Sequence, residues 1–328
     1  MINQSVDVLI VGGGLTGATL LLAMQGLGYS TLLLESKPLA ITSQTDFDAR
    51  SLALSPATQR VLNTLGVWPE VSEKSGFAKS RLHATEDGPL GYVIEMPHIS
   101  KALHDHLPKE QVLAPATLTR LDIDQKTAYI TTPDGDEYAI KAQLIVAEDG
   151  VESSIRRWCG LGVSRKEFHQ NAIVANVACS LPHDHRAFER FLPEGPMALL
   201  PLQAQRMALV WANTPKTTQR LMALNDAAFL KELQQQFGYK LGRFTKIGTR
   251  TTFPLRQILM PKQIHWPVVF IGNAAHTLHP VAGQGFNLGL RDVACLAQAI
   301  KEHGLSPDML EQYRQMRTTD QKNIMQLT

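Results

Sequence analysis

The chain of 328 residues is long enough for two domains, because globular domains span roughly 100–200 residues each. Its 44% of hydrophobic residues can build a sizeable core, and its 19% of charged residues lies below the usual share of about 25%, which excludes intrinsic disorder as the main state. With 32 basic and 30 acidic residues the net charge is only +2, and no basic run is present. We therefore expect a folded protein that does not bind nucleic acid.

Cysteine usage and the N-terminus indicate the compartment. Cys159, Cys179 and Cys295 are far apart and form no CxxC pair, which argues against a disulfide framework and a zinc cluster. The N-terminus lacks a basic segment followed by a cleavage site, and no run of about 18 apolar residues occurs. These features predict a cytoplasmic protein, and they leave peripheral contact with a membrane open because it needs far less apolar surface.

The first residues follow the order strand, helix, strand. A buried strand at Val6–Val11 precedes a glycine-rich turn, a helix from about Leu15 to Gly28 and a second strand at Thr31–Leu34. This unit predicts two parallel strands with a right-handed crossover. Further on, Ser55-Pro56 has the residue types of a helix N-cap and first position, and this helix is expected to run to Gly66.

Short apolar runs between residues 112 and 140 surround the turn signal Pro133-Asp134-Gly135 and predict a small β-meander. A buried strand, Leu144–Ala147, follows and ends abruptly at Glu148-Asp149-Gly150. The first part of the chain therefore has the organisation of an open, largely parallel sheet.

The middle third has a different character. Strands follow one another there, and one helical stretch, Asp226–Phe237, interrupts them, which is typical of an α+β unit. A strand at Pro267–Ile271 and a helix at Asn287–His303 then return to the strand–helix order of the first part of the chain. The predicted strands of the middle third are Ile173–Cys179, Met197–Leu200, Met207–Ala212 and Thr249–Phe253.

We therefore predict an α/β fold with two domains. Residues 1–165 and 255–328 form a discontinuous Rossmann-like dinucleotide-binding domain. Residues 166–254 form an inserted α+β substrate domain on a mainly antiparallel sheet, and strands near 70–100 could be interleaved with it. Met197, Met207 and Phe253 are expected in the core of this second domain rather than in a ligand pocket.

The segment Gly12-Gly13-Gly14-Leu15-Thr16-Gly17 has the GxGxxG pattern between a strand and a helix. In this context Gly12 permits a tight turn, Gly14 lets the backbone approach a pyrophosphate, and Gly17 allows close helix–strand packing. Glu35, which ends the next strand, can bind ribose hydroxyls. The motif predicts a dinucleotide site but does not choose between FAD and NAD.

A second glycine-rich loop, Gly272–Asn287, also runs from a strand into a helix. Its helix start offers backbone N–H groups to an electronegative edge of a ligand. Two such sites in one fold predict a long cofactor. His276 and His279 lie in this loop, but their spacing matches no metal site, and a structural role is favoured over catalysis.

Three motifs resemble the p-hydroxybenzoate hydroxylase family of FAD-dependent aromatic monooxygenases. Gly272–Asn287 resembles the GDxxHxxxPxxGxGxN signature, with Asn273 where most members have Asp, and Ala147–Arg156 resembles the middle DG motif. Arg50–Ser55 with the helix that follows is similar to the ubiquinone-biosynthesis hydroxylases within this family. The resemblance extends from Val6 to about Tyr313.

This resemblance implies a Rossmann-like FAD-binding domain and assigns parts of FAD to particular residues. The first glycine motif would hold the ADP half, Asn273 the ribityl chain and Pro280 the flavin ring. The amides of the residues from Gly285 to Asn287 would face the pyrimidine edge. The full set of implied cofactor-binding residues is Gly12, Gly14, Leu15, Thr16, Gly17, Glu35, Arg50, Asp149, Asn273, Pro280, Gly283, Gly285, Phe286 and Asn287. For Asp149, a purely turn-forming role stays open, and no catalytic side chain or metal ligand is assigned.

The implied reaction is hydroxylation of a polyprenyl phenol, such as 2-polyprenyl-6-methoxyphenol, in ubiquinone biosynthesis. NADPH or NADH would reduce FAD, and O2 would supply the oxygen atom. Such a substrate places the enzyme at the inner membrane surface or beside other ubiquinone-biosynthesis proteins. Two alternatives stay open: another FAD oxidoreductase acting on a prenyl lipid, and a non-catalytic flavoprotein or scaffold subunit. The second alternative stays open because similar proteins usually continue for some tens of residues after the helix at Glu311–Arg314, whereas this sequence ends at Thr328.

Overall fold

Two large sheets organise the computed structural model, which describes residues 2–39, 47, 50–74, 89–203, 205–278 and 285–327. The strands are β1 (Ile2–Val11), β2 (Thr31–Leu34), β3 (Ser51–Leu54), β4 (Tyr92–Glu95), β5 (Val112–Leu113), β6 (Thr117–Asp122), β7 (Thr127–Thr131), β8 (Glu137–Ala147), β9 (Ser164–Cys179), β10 (Phe188–Leu192), β11 (Gly195–Pro201), β12 (Arg206–Asn213), β13 (Phe244–Ile247), β14 (Thr251–Leu259), β15 (Ile264–His265), β16 (Val268–Phe270) and β17 (His276–Thr277). The helices are α1 (Leu15–Met24), α2 (Pro56–Thr64), α3 (Trp68–Lys74), α4 (Met96–Asp105), α5 (Ser154–Trp158), α6 (Pro215–Met222), α7 (Asp226–Phe237), α8 (Gly272–Ala275), α9 (Gly285–His303) and α10 (Pro307–Leu327).

The first sheet has a parallel core in the order β16-β8-β1-β2-β5. Its central strands are apolar on both faces because helices α1, α4, α9 and α10 pack on one face, and α5 with the β6–β7 hairpin covers the other. The predicted strand–helix–strand unit is present, although α1 ends at Met24 rather than at Gly28. The chain therefore has the mixed α/β architecture that the sequence predicts.

The ends of the parallel strands lie level with one another. Val11 pairs with Leu34 on one side and with Ala147 on the other, and Ala147 pairs in turn with Phe270. The segments that follow these four strands therefore meet at one carboxyl edge of the sheet. In open α/β sheets this edge is where ligands bind.

The second sheet has the order β10-β11-β12-β9-β14-β17, with β13 added beside β9, and its paired strands are antiparallel. One face packs on α6 and α7, where Met197 and Met207 are fully buried, as predicted for core residues. Phe253 departs from that prediction, because its side chain is 39% exposed. We propose that this sheet with its helices forms the substrate domain; it begins at Ser164 and extends to β17, beyond the predicted range of 166–254.

The sequence predicted one helix in the middle third, and the structure has two. Helix α6 was not predicted; Pro215 stands at its start, and Thr214 caps the helix by accepting a hydrogen bond from Thr217 N. Strand β10 was also missed. It is the edge strand, and its alternation of half-buried and exposed residues gives a weaker signal than the central strands do.

Candidate functional site

A cleft of about 720 Å³ opens at the carboxyl edge of the parallel sheet. It collects residues from the segments that follow β1, β2, β8 and β16 and from the start of α9, so both glycine motifs contribute to one site. The predicted residues that line it are Gly12, Gly14, Leu15, Thr16, Glu35, Arg50, Asp149, Asn273, Gly285 and Phe286. Pro280 and Gly283 were also predicted, and they lie outside the described residues, as does His279.

The first glycine motif folds as its spacing predicts. Gly12 has φ +116°, a conformation that favours glycine, and a Cβ there would overlap the carbonyl group of Glu148. Gly17 does not line the cleft. A Cβ at this position would overlap the carbonyl oxygen of Gly12. Gly17 therefore allows α1 to pack closely against the turn and contributes to the site through the backbone geometry.

The N-terminus of helix α1 lies at the cleft, and no side chain caps its first backbone amides. Its N-cap, Gly14, has no side chain to bond the first amides, and the first turn carries no acidic residue. A helix start of this kind presents backbone N–H groups and a positive dipole to phosphate. The neighbouring Glu35 accepts hydrogen bonds from Gly13 N at 2.7 Å and from Lys37 N at 2.9 Å, which fixes its carboxylate beside the turn.

Asp149 combines a structural and a ligand-facing position. Its Oδ2 atom accepts hydrogen bonds from Ser154 N at 2.7 Å and Ile155 N at 3.1 Å, at the start of α5. Its Oδ1 atom is buried and has no hydrogen-bond partner among the described residues. Asp149 lines the cleft, so a contact between this second oxygen and a ligand stays a prediction. A purely turn-forming role explains only one of the two oxygens.

The second motif reaches the cleft through Gly272, Asn273 and the start of α9. Asn287, by contrast, points its side chain elsewhere. Its Oδ1 accepts from Ser55 N at 2.9 Å and Thr58 Oγ1 at 2.6 Å. This side chain joins α9 to the start of α2, so a role for Asn287 towards a cofactor stays a prediction for its backbone alone.

His276 lies in a buried ionic network behind the cleft. Its Nε2 atom is 2.6 Å from Asp292 Oδ2, and Arg317 Nε is 2.7 Å from Asp292 Oδ1. Burial alone raises the pKa of Asp292, but His276, Arg317 and the Gly272 amide outweigh it and hold the pKa below its ordinary value. Asp292 also accepts from Gly272 N at 3.0 Å, so the network fixes the loop that carries Asn273.

Sequence reasoning missed Glu148 as a site residue. Its side chain is half-buried at the cleft, with its carboxyl group between Gly12, Gly14 and Gly272. Burial is the main cause that raises its pKa to about 8, and Glu35 and Asp149 raise it further. The available signal was the pair of acidic residues Glu148-Asp149 directly after a buried strand at a phosphate-binding edge.

The site has the shape and donors that a dinucleotide needs. A Cβ at Gly12 would overlap the carbonyl group of Glu148, one at Gly14 would lie 3.2 Å from Glu148 Oε2, and no side chain caps the first amides of α1. The unpartnered Oδ1 of Asp149 and the second helix start at Gly285 extend the polar lining along the cleft. Among the described residues no cluster of three metal-ligating side chains occurs.

Comparison with known proteins identifies the family. Residues 5–328 match the FAD binding domain family. The chain belongs to this family. Its predicted resemblance to FAD-dependent hydroxylases and its predicted cofactor, FAD, are thereby confirmed.

Two curated relatives match almost the whole chain. Ubiquinone hydroxylase UbiL of Rhodospirillum rubrum is 35% identical over 99% of this chain and 81% of its own length. The 3-demethoxyubiquinol 3-hydroxylase of Escherichia coli is 30% identical over 98% of this chain and 87% of its own length. Both names describe hydroxylases, in agreement with the enzyme class that the sequence predicts.

Solved structures agree on the fold. A variant of PqsL from Pseudomonas aeruginosa aligns with a TM-score of 0.81 at 20% identity, covering 98% of this chain and 94% of that one. The p-nitrophenol 4-monooxygenase PnpA of Pseudomonas putida aligns with a TM-score of 0.73 at 20% identity, covering 95% and 84%. In the part of the chain that the structure describes, no helix is long and apolar enough to cross a membrane.

Proposed function

We propose that this chain is an FAD-dependent, NAD(P)H-using monooxygenase that hydroxylates the aromatic ring of a polyprenyl phenol in ubiquinone biosynthesis. The observation that carries the proposal is the meeting of both glycine motifs in one cleft, in a chain 35% identical to a ubiquinone hydroxylase over 99% of its length. FAD, when bound, takes up a hydride and activates dioxygen.

The residues of the cleft have separate roles in this proposal. The first amides of α1 bind the phosphates, and Glu35 binds the ribose hydroxyls of the adenosine half. Asn273 donates and accepts hydrogen bonds along the ribityl chain. The start of α9 at Gly285 and Phe286 stabilises negative charge on the pyrimidine edge of the flavin, because a helix N-terminus carries a positive dipole.

The decisive experiment is NAD(P)H oxidation by the FAD-loaded protein, with and without a short-tailed 6-methoxyphenol, together with the mass of the product. The proposal predicts stimulated oxidation and a product heavier by one oxygen atom. Oxidation of the substrate without oxygen gain would instead support an FAD oxidoreductase of another kind. Bound FAD with no product from any phenol would support a non-catalytic flavoprotein.

We further propose that the protein is cytoplasmic and takes its substrate at the inner membrane surface, alone or with other ubiquinone-biosynthesis proteins. The support is the chemistry of the substrate, since a polyprenyl tail partitions into lipid. Co-sedimentation with vesicles containing a long-tailed phenol, compared with vesicles without it, tests this step. Equal recovery in the supernatant in both cases contradicts direct capture from the membrane.

A further inference from the structure

Glu148 occupies the space that the glycines of the site leave open. A Cβ atom at Gly14 would lie 3.2 Å from its Oε2 atom, and one at Gly272 would lie 3.0 Å from its Oε1 atom. The carboxyl group therefore stands between the two glycine motifs. The hydroxyl group of Thr16, in the first turn of α1, bonds to it.

The charges around Glu148 oppose its ionisation. Glu35, after β2, and Asp149, next along the chain, both act on it with negative charge. Helix α1 contributes the uncharged hydroxyl of Thr16, and on the α8–α9 side Asp292 accepts a hydrogen bond from Gly272 N. The basic residues that line the same cleft are Lys37 and Arg50.

We propose that Glu148 is a cofactor-binding residue that must be uncharged when the FAD pyrophosphate enters the cleft, and that its protonated carboxyl group then donates a hydrogen bond to a phosphate oxygen. An ionised carboxylate there would repel the phosphates in a water-poor site. The inference follows from the geometry and does not depend on which substrate is hydroxylated.

The titration of this group supports the proposal. Burial, followed by the charges of Glu35 and Asp149, raises its pKa from 4.5 to about 8, so the neutral form prevails at neutral pH. Above this pKa a proton must be taken up for FAD to bind. Affinity should therefore fall about tenfold for each further pH unit.

The test is FAD affinity of the cofactor-free protein, measured by flavin fluorescence between pH 6.5 and 9, for wild type, Glu148→Gln and Glu148→Ala. For wild type the Kd should rise roughly tenfold over this range. Glu148→Gln keeps the shape and a hydrogen-bond donor, so its Kd should stay within about twofold. Circular dichroism of each protein at each pH checks that folding is unchanged.

Each outcome decides the proposal. A wild-type Kd that does not change with pH overturns it. An equally steep rise in Glu148→Gln assigns the titration to another group and also overturns the proposal. Glu148→Ala separates the two parts of the inference, because it should lose the pH dependence and also bind FAD more weakly than Glu148→Gln at pH 6.5. Equal affinity of the two variants at pH 6.5 would show that residue 148 donates no hydrogen bond to FAD.

Discussion

The Nε2 atom of His276 lies 2.6 Å from the Oδ2 atom of Asp292, and both side chains are almost completely buried. Asp292 lies on α9, whereas His276 follows the strand that leads into the second glycine motif. The same carboxylate binds Arg317 on α10. The buried Asp292 carboxylate therefore joins the second glycine motif to helices α9 and α10. Its loss should lower stability and also alter the cleft.

Asp292→Asn should destabilise the protein by about 3–5 kcal/mol, because it removes the fully buried one of the two carboxylates, Asp292 and Asp320, that pair with the buried Arg317. Urea unfolding measures this loss. Lys101→Ala is the matched control, since Lys101 and Asp105 form an exposed pair on α4 whose removal should change stability by less than about 1 kcal/mol. Equal effects of the two substitutions would contradict a role for the buried network.

The pH dependence of this network follows from the lowered pKa of Asp292. An acid whose pKa is lower in the folded state stabilises it above the unfolded-state pKa of about 3.9 and loses this effect as the pH falls through the folded value. The difference in unfolding free energy between wild type and Asp292→Asn should therefore be large at neutral pH and shrink below about pH 4. A difference that stays constant from pH 7 to pH 3 contradicts this assignment.

The glycines of the first motif should separate effects on folding from effects on binding. A Cβ at Gly17 would overlap the carbonyl oxygen of Gly12, so Gly17→Ala should destabilise the fold by more than about 2 kcal/mol. At Gly14 a Cβ would lie 3.2 Å from a side-chain oxygen of Glu148 and would meet no backbone, so Gly14→Ala should fold. Because the added methyl group faces the predicted phosphate site, this variant should bind FAD at least tenfold more weakly. Gly162→Ala, where nothing lies within 4 Å, is the control for both measurements.

Thermal unfolding without cofactor and FAD titration distinguish these two effects. If Gly17→Ala unfolds at the wild-type temperature, the close approach of α1 to the turn is not required. If Gly14→Ala binds FAD as tightly as Gly162→Ala does, the phosphates do not pass over Gly14. The second result would require a different placement of the dinucleotide in the cleft.

Much of this site could be predicted because its residues lie next to strong local patterns. The turns after Val11 and Ile271 could be predicted because each follows an apolar strand and precedes a helix. The spacing of the glycines indicates the positions where the backbone lies close to another segment or to a ligand. The first motif and Glu35 were therefore found from the sequence alone, and the structure brings them to one edge.

The remaining features depend on contacts between distant parts of the chain. Asn287 was predicted at the start of a helix with its backbone amide facing the cofactor, but its side-chain oxygen accepts hydrogen bonds from Ser55 N and Thr58 Oγ1, more than 200 positions away. Glu148 looked like a turn residue, and only the folded chain shows that it faces Gly14 and Gly272. No local pattern encodes such pairs, because they arise when separate strands end at the same edge.

Asp149 should tolerate loss of its charge better than loss of its oxygens. Asp149→Asn keeps an acceptor for Ser154 N and Ile155 N, so its unfolding free energy should stay close to that of wild type. Asp149→Ala removes both bonds at the start of α5 and should lower the unfolding free energy by about 1–2 kcal/mol. Equal losses for the two variants would show that the charge, rather than the hydrogen bonds, stabilises this turn.

Glu148 should also make the stability of the cofactor-free protein depend on pH. Its pKa is about 8 in the folded chain and close to 4.5 when solvated, so between these values the folded state binds more protons than the unfolded state. Stability should consequently fall as the pH rises through this window, by at most about 1.4 kcal/mol per pH unit from this group.

Glu148→Gln carries no titratable group at this position and should lack that contribution. Thermal unfolding of both proteins without FAD at pH 5.5, 7 and 8.5 measures the difference. The advantage of the glutamine variant should grow with each step, because only wild type has to bury a charge or retain a proton there. If the stabilities of the two proteins change with pH in the same way, Glu148 is solvated in the cofactor-free state and does not lie between the glycines.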